Sequence, residues 1–329
     1  MRFALIEARV RVIGSRRPLT STSPYDGRLR NGRGQDRYWR GLSYSRQLNR
    51  RRQAMKIGMS VGTSPVATVT VYVDPSLGDP ALQNAKELLA DADRVVAANN
   101  AIFGVPGDPV SVIVFALGGQ TDGTGGADHD ACNYTNGGAI EVCASYGNAA
   151  RVSALFEAEL SECSMGGNLC GQNTGEALSR WCAAIVGNNA LADFATAPTW
   201  AQKGMPDFVN RTDNTDQNPT STGCGMAFLS WLQSLGFPLK KIAPAMVKLS
   251  TSATLAQLYA ILTSALQSDA WLKFLAAAKS LPKIVNDDPF GGANVSRKSK
   301  GRSAKARLAS RGPERQKFTT DSKSRRAPR

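Results

Sequence analysis

Two consecutive helical patterns joined by a short glycine-rich turn fill residues 150–187, and they constrain the fold more than any other stretch of the chain. The apolar side chains of the first pattern recur every three or four residues, which places them on one face of a helix. This apolar face comprises Val152, Leu155, Phe156, Leu160 and Cys163. The first helix is therefore predicted to pack against the core of the protein.

Three glutamates accompany these helices. Glu159 falls in the middle of the apolar face, Glu162 lies on its edge, and Glu176 falls in the first turn of the second helix. A carboxylate that faces a core is costly unless it finds a hydrogen-bond partner, a metal ion or a proton. Glu159 and Glu162 are three residues apart, so they repel each other unless something lies between them. All three glutamates are therefore candidate functional residues.

A purely structural role for the glutamates is also open. Glu176 can complete a capping box with Asn173 as the N-cap, and it can pair with Arg180 four residues later. Glu159 needs only a hydrogen bond from a backbone amide or from Arg180. A guanidinium at that place would compete with a metal ion for the same carboxylates.

The residues before the two helices predict a small sheet. Residues 67–74 are β-branched and alternating, and residues 110–118 are almost continuously apolar, so both are predicted strands. An amphipathic pattern over 80–102 predicts a helix between them, which makes a β-α-β unit with a right-handed crossover if the strands are parallel. Residues 139–147 predict a third strand, in a hairpin or at the edge of the sheet, with Asn136-Gly137 as the turn.

The residues after the two helices predict mostly helix. An irregular stretch over 188–220 is followed by a buried helix over 221–235, because its apolar residues lie on nearly all sides. Three more helices are predicted over 238–249, 255–267 and 270–281, with Asp269 as the N-cap of the last. The predicted fold class is α+β, with a small mixed sheet, an edge strand and a mostly helical C-terminal half.

Charge divides the chain into three parts. Residues 1–56 hold 15 Lys/Arg against 3 Asp/Glu, and residues 296–329 hold 13 against 2, whereas the stretch between them is acidic with 12 against 21. We predict a disordered basic extension over 1–56, a single domain over 57–293 and a disordered basic tail over 294–329. The tails could contact nucleic acid or phosphate weakly, but the acidic domain argues against a nucleic-acid-binding core.

The cysteines and the apolar runs bear on the compartment. No run is long enough for a signal peptide or a transmembrane span, so the sequence favours a cytoplasmic protein without membrane contact. The six cysteines contain no CxxC, which argues against a structural zinc knuckle. In an oxidising compartment, Cys132 could bridge to Cys143 and Cys163 to Cys170.

A glycine- and aspartate-rich loop over 118–138 contains the only histidine of the chain, His129, between Asp128 and Asp130. Its oxygen ligands suit calcium or a transition metal, although the spacing does not fit an EF-hand. A flexible loop without a metal is the alternative.

The order of elements and two short motifs resemble the zincin-like metallopeptidases of the gluzincin branch. In that family a helix carries His-Glu-x-x-His and the next helix supplies a glutamate as third zinc ligand. The first motif falls on residues 158–162, where Glu159 stands at the general base. The second, Asn-Glu-Ala-x-Ser-Asp in thermolysin-like members, falls on residues 175–180, where Glu176 stands at the third ligand.

This chain departs from the family at the residues that hold zinc. Ala158 and Glu162 replace the two histidines, and Arg180 replaces the aspartate. Three protein ligands normally hold a catalytic zinc, so an ordinary zinc peptidase is not expected. The segment 212–235 is similar in placement to the one that closes the site in plant basic secretory proteins. That likeness makes Arg180, Asp213, Asp216 and Gln217 candidate cleft residues.

Three functions follow from these observations. The first is a degenerate zincin-like scaffold that binds a peptide or protein in the cleft without cleaving it. The second is a carboxylate-site hydrolase in which Glu159, Glu162 and Glu176 hold Mn²⁺, Mg²⁺ or Ca²⁺, or share a proton. The third is a structural α+β domain. A divalent cation is the only cofactor that the sequence suggests.

Overall fold

The computed structural model describes residues 58–67, 69–116, 121–129, 133 and 139–294. The predicted extension 1–56 and the predicted tail, apart from residue 294, lie outside the described residues, as does the Asn136-Gly137 turn. The division into one domain with two disordered extensions therefore stays a prediction.

The strands form one mixed sheet with the order β1-β2-β3-β5-β4. The two inner pairings, β2 with β3 and β3 with β5, are parallel, and the two outer pairings are antiparallel. Val71 pairs with Val112, which in turn pairs with Ile140, so the central strands bring buried apolar residues into register. The strands are β1 Met59–Thr63, β2 Thr70–Val73, β3 Ser111–Phe115, β4 Ala127–His129 and β5 Ala139–Cys143.

Helix α1, Gly78–Phe103, connects the parallel strands β2 and β3, so the predicted β-α-β unit is confirmed. Its apolar residues pack on the sheet, with Ala85, Leu88 and Val95 fully buried. The helix ends where Gly104 takes a left-handed conformation (φ 76°) and donates its N–H to the carbonyl of Asn100.

The third predicted strand agrees with one of its two expected positions. Strand β5 pairs antiparallel with β4, as in a hairpin, but its other side pairs with β3, so it is not an edge strand. The edge on this side of the sheet is β4, a three-residue strand from the glycine-rich loop, and the opposite edge is β1. The few residues of β4 carry too little pattern to be recognised in the sequence.

Two helices follow as predicted: α2, Ala149–Ser164, and α3, Asn173–Val186. The side chain of Asn148 caps α2 by accepting the N–H of Arg151. Helix α2 packs against α1, α3, β4 and β5. Because neighbours surround it, most of its residues from Arg151 to Cys163 are buried, on both sides of the predicted apolar face.

The C-terminal half is helical, and a second apolar core lies among its helices. Trp200 stacks on Phe274 with ring centroids 5.3 Å apart, and Phe228 meets the Phe274 ring edge-on at 5.2 Å. The predicted N-cap Asp269 is wrong, because the N-cap is Leu266 and Asp269 pairs with Lys273 inside the helix. These helices are α4 Ala197–Gln202, α5 Pro219–Ser234, α6 Leu239–Leu249, α7 Leu255–Thr263 and α8 Gln267–Lys279.

The protein is thus α+β, as predicted. Within the described part of the chain, every helix is too short or too polar to cross a membrane.

Candidate metal-binding site

The end of strand β4 meets the middle of helix α2, and this contact brings a histidine onto two glutamates. His129 Nδ1 lies 2.7 Å from Glu159 Oε2 and 3.6 Å from Glu162 Oε2. A ligand atom from each of the three residues lies within 4.8 Å of the others. Imidazole nitrogen and carboxylate oxygen at such separations can converge on one divalent ion.

The backbone explains how the three side chains converge. His129 is the last residue of β4 and pairs with Ile140 of β5, while α2 packs on both strands. Glu159 and Glu162 are three residues apart, so they project from the same side of α2. The sequence placed both glutamates on this helix but did not connect them with His129, which is 30 residues away from Glu159.

Both glutamates are largely buried, with 13% of the Glu159 side chain and 19% of the Glu162 side chain exposed. Burial raises the pKa of Glu159, although the hydrogen bond and the charge of His129 oppose this effect. The pKa of Glu162 lies well above its usual range, because burial and repulsion from Glu159 and Glu176 act together. Ser179 donates a hydrogen bond to Glu162 Oε1 at 2.9 Å. The pair is therefore electrostatically suited to a proton or a cation.

Glu176 belongs to a neighbouring ion pair instead of the three-residue group. Its Oε1 lies 2.5 Å from Arg180 Nε, which confirms the predicted pairing at i+4. Arg180 also donates to the carbonyl of Phe194 at 2.9 Å. The predicted capping box is wrong, because Gln172 is the N-cap and its side chain makes no capping hydrogen bond. Asn173 instead accepts the N–H of Asp213.

A small cleft lies beside the carboxylates. His129, Glu162, Glu176 and Asp216 line its polar side, and Leu169 contributes to its apolar side. Among the candidate residues, Glu162, Glu176 and Asp216 therefore meet at one cleft.

The other predicted cleft residues lie elsewhere. Asp213 holds the loop before α5, since its carboxylate accepts hydrogen bonds from Asn218 Nδ2 at 2.7 Å and Ser221 Oγ at 3.0 Å. Gln217 is exposed and donates to Asp216. Arg180 lies behind Glu176, outside the lining of the cleft.

The cysteines pair differently from the two predicted bridges. Cys143 and Cys163 are buried thiols, and Cys170, which lines the cleft, is disulfide-bonded. Both predicted pairings are therefore wrong. Burial raises the pKa of the Cys163 thiol to about 12, which makes it unreactive. Disulfides are rare in reducing compartments, so the bond at Cys170 does not favour a cytoplasmic location. The predicted location itself stays a prediction.

One further carboxylate went unrecognised in the sequence. Glu157 lies on the opposite side of α2 from Glu159 and is completely buried. Neither of its oxygens accepts a hydrogen bond within the described residues. A helical wheel could not identify it, because Glu157 lies off the apolar face and is covered only by the packing of neighbouring helices.

The chain matches none of the protein-family models, and no curated protein is significantly similar to it in sequence. Inference about its function therefore starts from the geometry of the site.

Proposed function

We propose that this protein binds a divalent metal ion through His129, Glu159 and Glu162, and that it is a metal-dependent hydrolase. The observation that carries this proposal is the convergence of one imidazole from β4 and two carboxylates from α2, with ligand atoms within 4.8 Å of one another. An acidic surface alone would not explain it, since all three side chains are largely buried.

The donor set decides which ions suit the site. One nitrogen and two oxygens provide three protein ligands, the number that catalytic metal sites commonly use while water takes a further position. Imidazole suits zinc and other transition metals, and carboxylates suit Mn²⁺ and Mg²⁺. We therefore expect Mn²⁺ or Zn²⁺ to bind more tightly than Ca²⁺.

The cleft supports a reaction with water. Glu162 and His129 line both the proposed ion site and the cleft, so a bound ion would lie at the surface that a substrate can reach. A divalent ion lowers the pKa of bound water and polarises a carbonyl or phosphoryl oxygen. Glu176 is on the same cleft wall and could exchange a proton with that water, while Arg180 holds its carboxylate in place.

The proposal keeps part of the zincin resemblance and changes its ligands. Glu159 and Glu176 occupy helices in the order that the family implies. In place of the two family histidines, we infer that His129 from the edge strand and Glu162 act as ligands. Glu159 then becomes a ligand instead of a general base.

The test is metal binding by the full chain, purified without a chelator and without a histidine tag. We expect near-stoichiometric metal, or binding of added Mn²⁺ or Zn²⁺ by calorimetry. An ion at 100 times its Kd stabilises the folded state by about 2.7 kcal/mol, which melting curves detect. Glu159→Gln should weaken binding at least tenfold.

Glu157→Gln is the matched control, because it is the same substitution at a buried position on the same helix but outside the cluster. It should bind metal as the natural protein does. Equal affinity in the Glu159→Gln and Glu157→Gln variants would contradict the proposal. Absence of binding by the natural protein would leave the glutamates as a proton-sharing pair hydrogen-bonded to His129.

A second candidate function is peptide binding without cleavage. It is favoured by strand β4, which reaches the cleft through His129 and pairs on only one side with a described strand. An extended peptide could add to the other side by strand pairing. Slower amide hydrogen exchange in residues 127–129 upon mixing with a peptide library would support this function, and unchanged exchange would contradict it.

A further inference from the structure

The position of His129 depends on a loop with little regular structure of its own. Strand β4 has only three residues, and its pairing with β5 is extended by hydrogen bonds from Cys143 N to Gly126 O and from Tyr146 N to Thr121 O. These contacts hold one side of the loop. A contact on the other side is needed to hold the loop towards α2, where Glu159 lies.

Arg151 occupies that place. It lies on α2, eight residues before Glu159, and only 3% of its side chain is exposed. Its Nη2 donates to the carbonyl of Gly125 at 3.1 Å, and its Nη1 lies 2.5 Å from Asp193 Oδ1. The guanidinium also lies 4.6 Å from the centre of the Phe194 ring. One side chain thus joins the loop, α2 and the segment before α4.

The loop backbone passes close to this side chain. Gly123 has φ 87°, and a Cβ at that position would lie 3.1 Å from Ser145 Oγ and 3.9 Å from Arg151 Cδ. The loop backbone therefore lies near the aliphatic part of the Arg151 side chain as well as near its guanidinium. The same helix that presents Glu159 also supports the backbone that carries His129.

Stability alone explains this arginine poorly. Burying a guanidinium is costly, and its ion-pair partner Asp193 is half exposed. Its Nε is buried and donates no hydrogen bond within the described part of the protein. An arginine selected for stability alone would be expected to satisfy all of its donors. Among its contacts, the charge-assisted hydrogen bond to the Gly125 carbonyl is the one that reaches the loop.

We propose that Arg151 is a positioning residue that fixes the loop over 121–129 so that His129 reaches Glu159. As a step towards metal binding, this inference rests on the proposed function. Its geometric content, the placement of His129, can be tested without a metal.

The experiment uses the only histidine of the chain as a probe. The full protein without a histidine tag, labelled with ¹³C-histidine and treated with a chelator, gives one set of imidazole NMR signals. Glu159→Gln provides the reference for a broken contact between His129 and Glu159. Arg151→Met removes the guanidinium but keeps an apolar stem, and Arg151→Lys keeps the charge. Arg94→Met is the control, since Arg94 also pairs with an aspartate and a backbone carbonyl, and both of these partners lie outside the loop.

We expect Arg151→Met to move the His129 signals towards those of Glu159→Gln, and Arg94→Met to leave them in place. In titrations with Mn²⁺, Arg151→Met should lose about 10- to 100-fold in affinity, the range for residues that orient metal ligands. Arg151→Lys should lose less. If Arg151→Met does not fold, the proposal still requires that Arg151→Lys shifts the His129 signals.

Unchanged His129 signals in a folded Arg151 variant would overturn the inference, whatever the change in melting temperature. If the natural protein binds no Mn²⁺, the proposed function fails, but the signals without metal still decide whether Arg151 positions His129.

Discussion

Glu157 provides a test of how the packing of α2 controls ionisation. Its side chain is completely buried, and both oxygens lack a hydrogen-bond partner among the described residues. Burial raises its pKa well above the usual 4.5, although the positive charge of Arg94 on α1 opposes the shift. Arg94 is engaged with Asp91, and on the side of α3 the nearby titratable group is the buried Cys182. The folded protein therefore keeps the proton of Glu157 to a higher pH than the unfolded chain does.

The sign of the effect follows from proton linkage. Above pH 4.5 the unfolded chain releases the proton of Glu157, while the folded protein keeps it until the raised pKa is reached. The folded state then binds more protons, so its free energy of unfolding falls by about 1.4 kcal/mol per pH unit over that window. Glu157→Gln cannot titrate. The free energy of unfolding of this variant, minus that of the natural protein, should therefore rise with pH by the same amount per pH unit.

The assay is urea unfolding at several pH values from 4.5 to 8. A buried amide without partners costs about 1–3 kcal/mol, so the variant could be less stable at pH 4.5, and the slope is the decisive quantity. Asp108→Asn, at an exposed site, controls for the loss of one carboxylate. Parallel stability curves for Glu157→Gln and the natural protein would refute a protonated, buried Glu157.

Two further changes test local structure. Gly175→Ala should destabilise the protein by about 1–3 kcal/mol in urea unfolding, because a Cβ on this residue, in the first turn of α3, would overlap the carbonyl oxygen of Leu169. Gly126→Ala, with no described neighbour within 4 Å, is its control, and equal stability of the two variants would contradict the clash. Thr254→Ala should cost about 1 kcal/mol, seen as a lower melting temperature, since Thr254 and Gln257 form the capping box of α7; a Thr254→Ser variant that melts no higher than Thr254→Ala would contradict that role.

The candidate site depends on a contact between residues that are far apart in the sequence, and local sequence patterns do not reveal such contacts. The spacing of Glu159 and Glu162 predicted that the two carboxylates share one face of a helix, and this is what the structure has. Their partner could not be predicted, because His129 reaches them from β4 and lies 30 residues before Glu159 in the chain. In the sequence, His129 was only a histidine in an oxygen-rich loop.

The sequence by itself determined the α+β class, the β-α-β unit, the two glutamate helices and the helical C-terminal half, whereas the parallel direction of the strands came from the structure. These features depend on periodicity and end signals within one element, which local residues specify. Tertiary structure alone decided which strand lies at the edge, which carboxylates are buried, that His129 meets the middle of α2, and that Arg151 of α2 contacts the loop at Gly125. The physical reason is that burial and electrostatic environment depend on which elements pack together, and a helix surrounded by neighbours buries both of its sides.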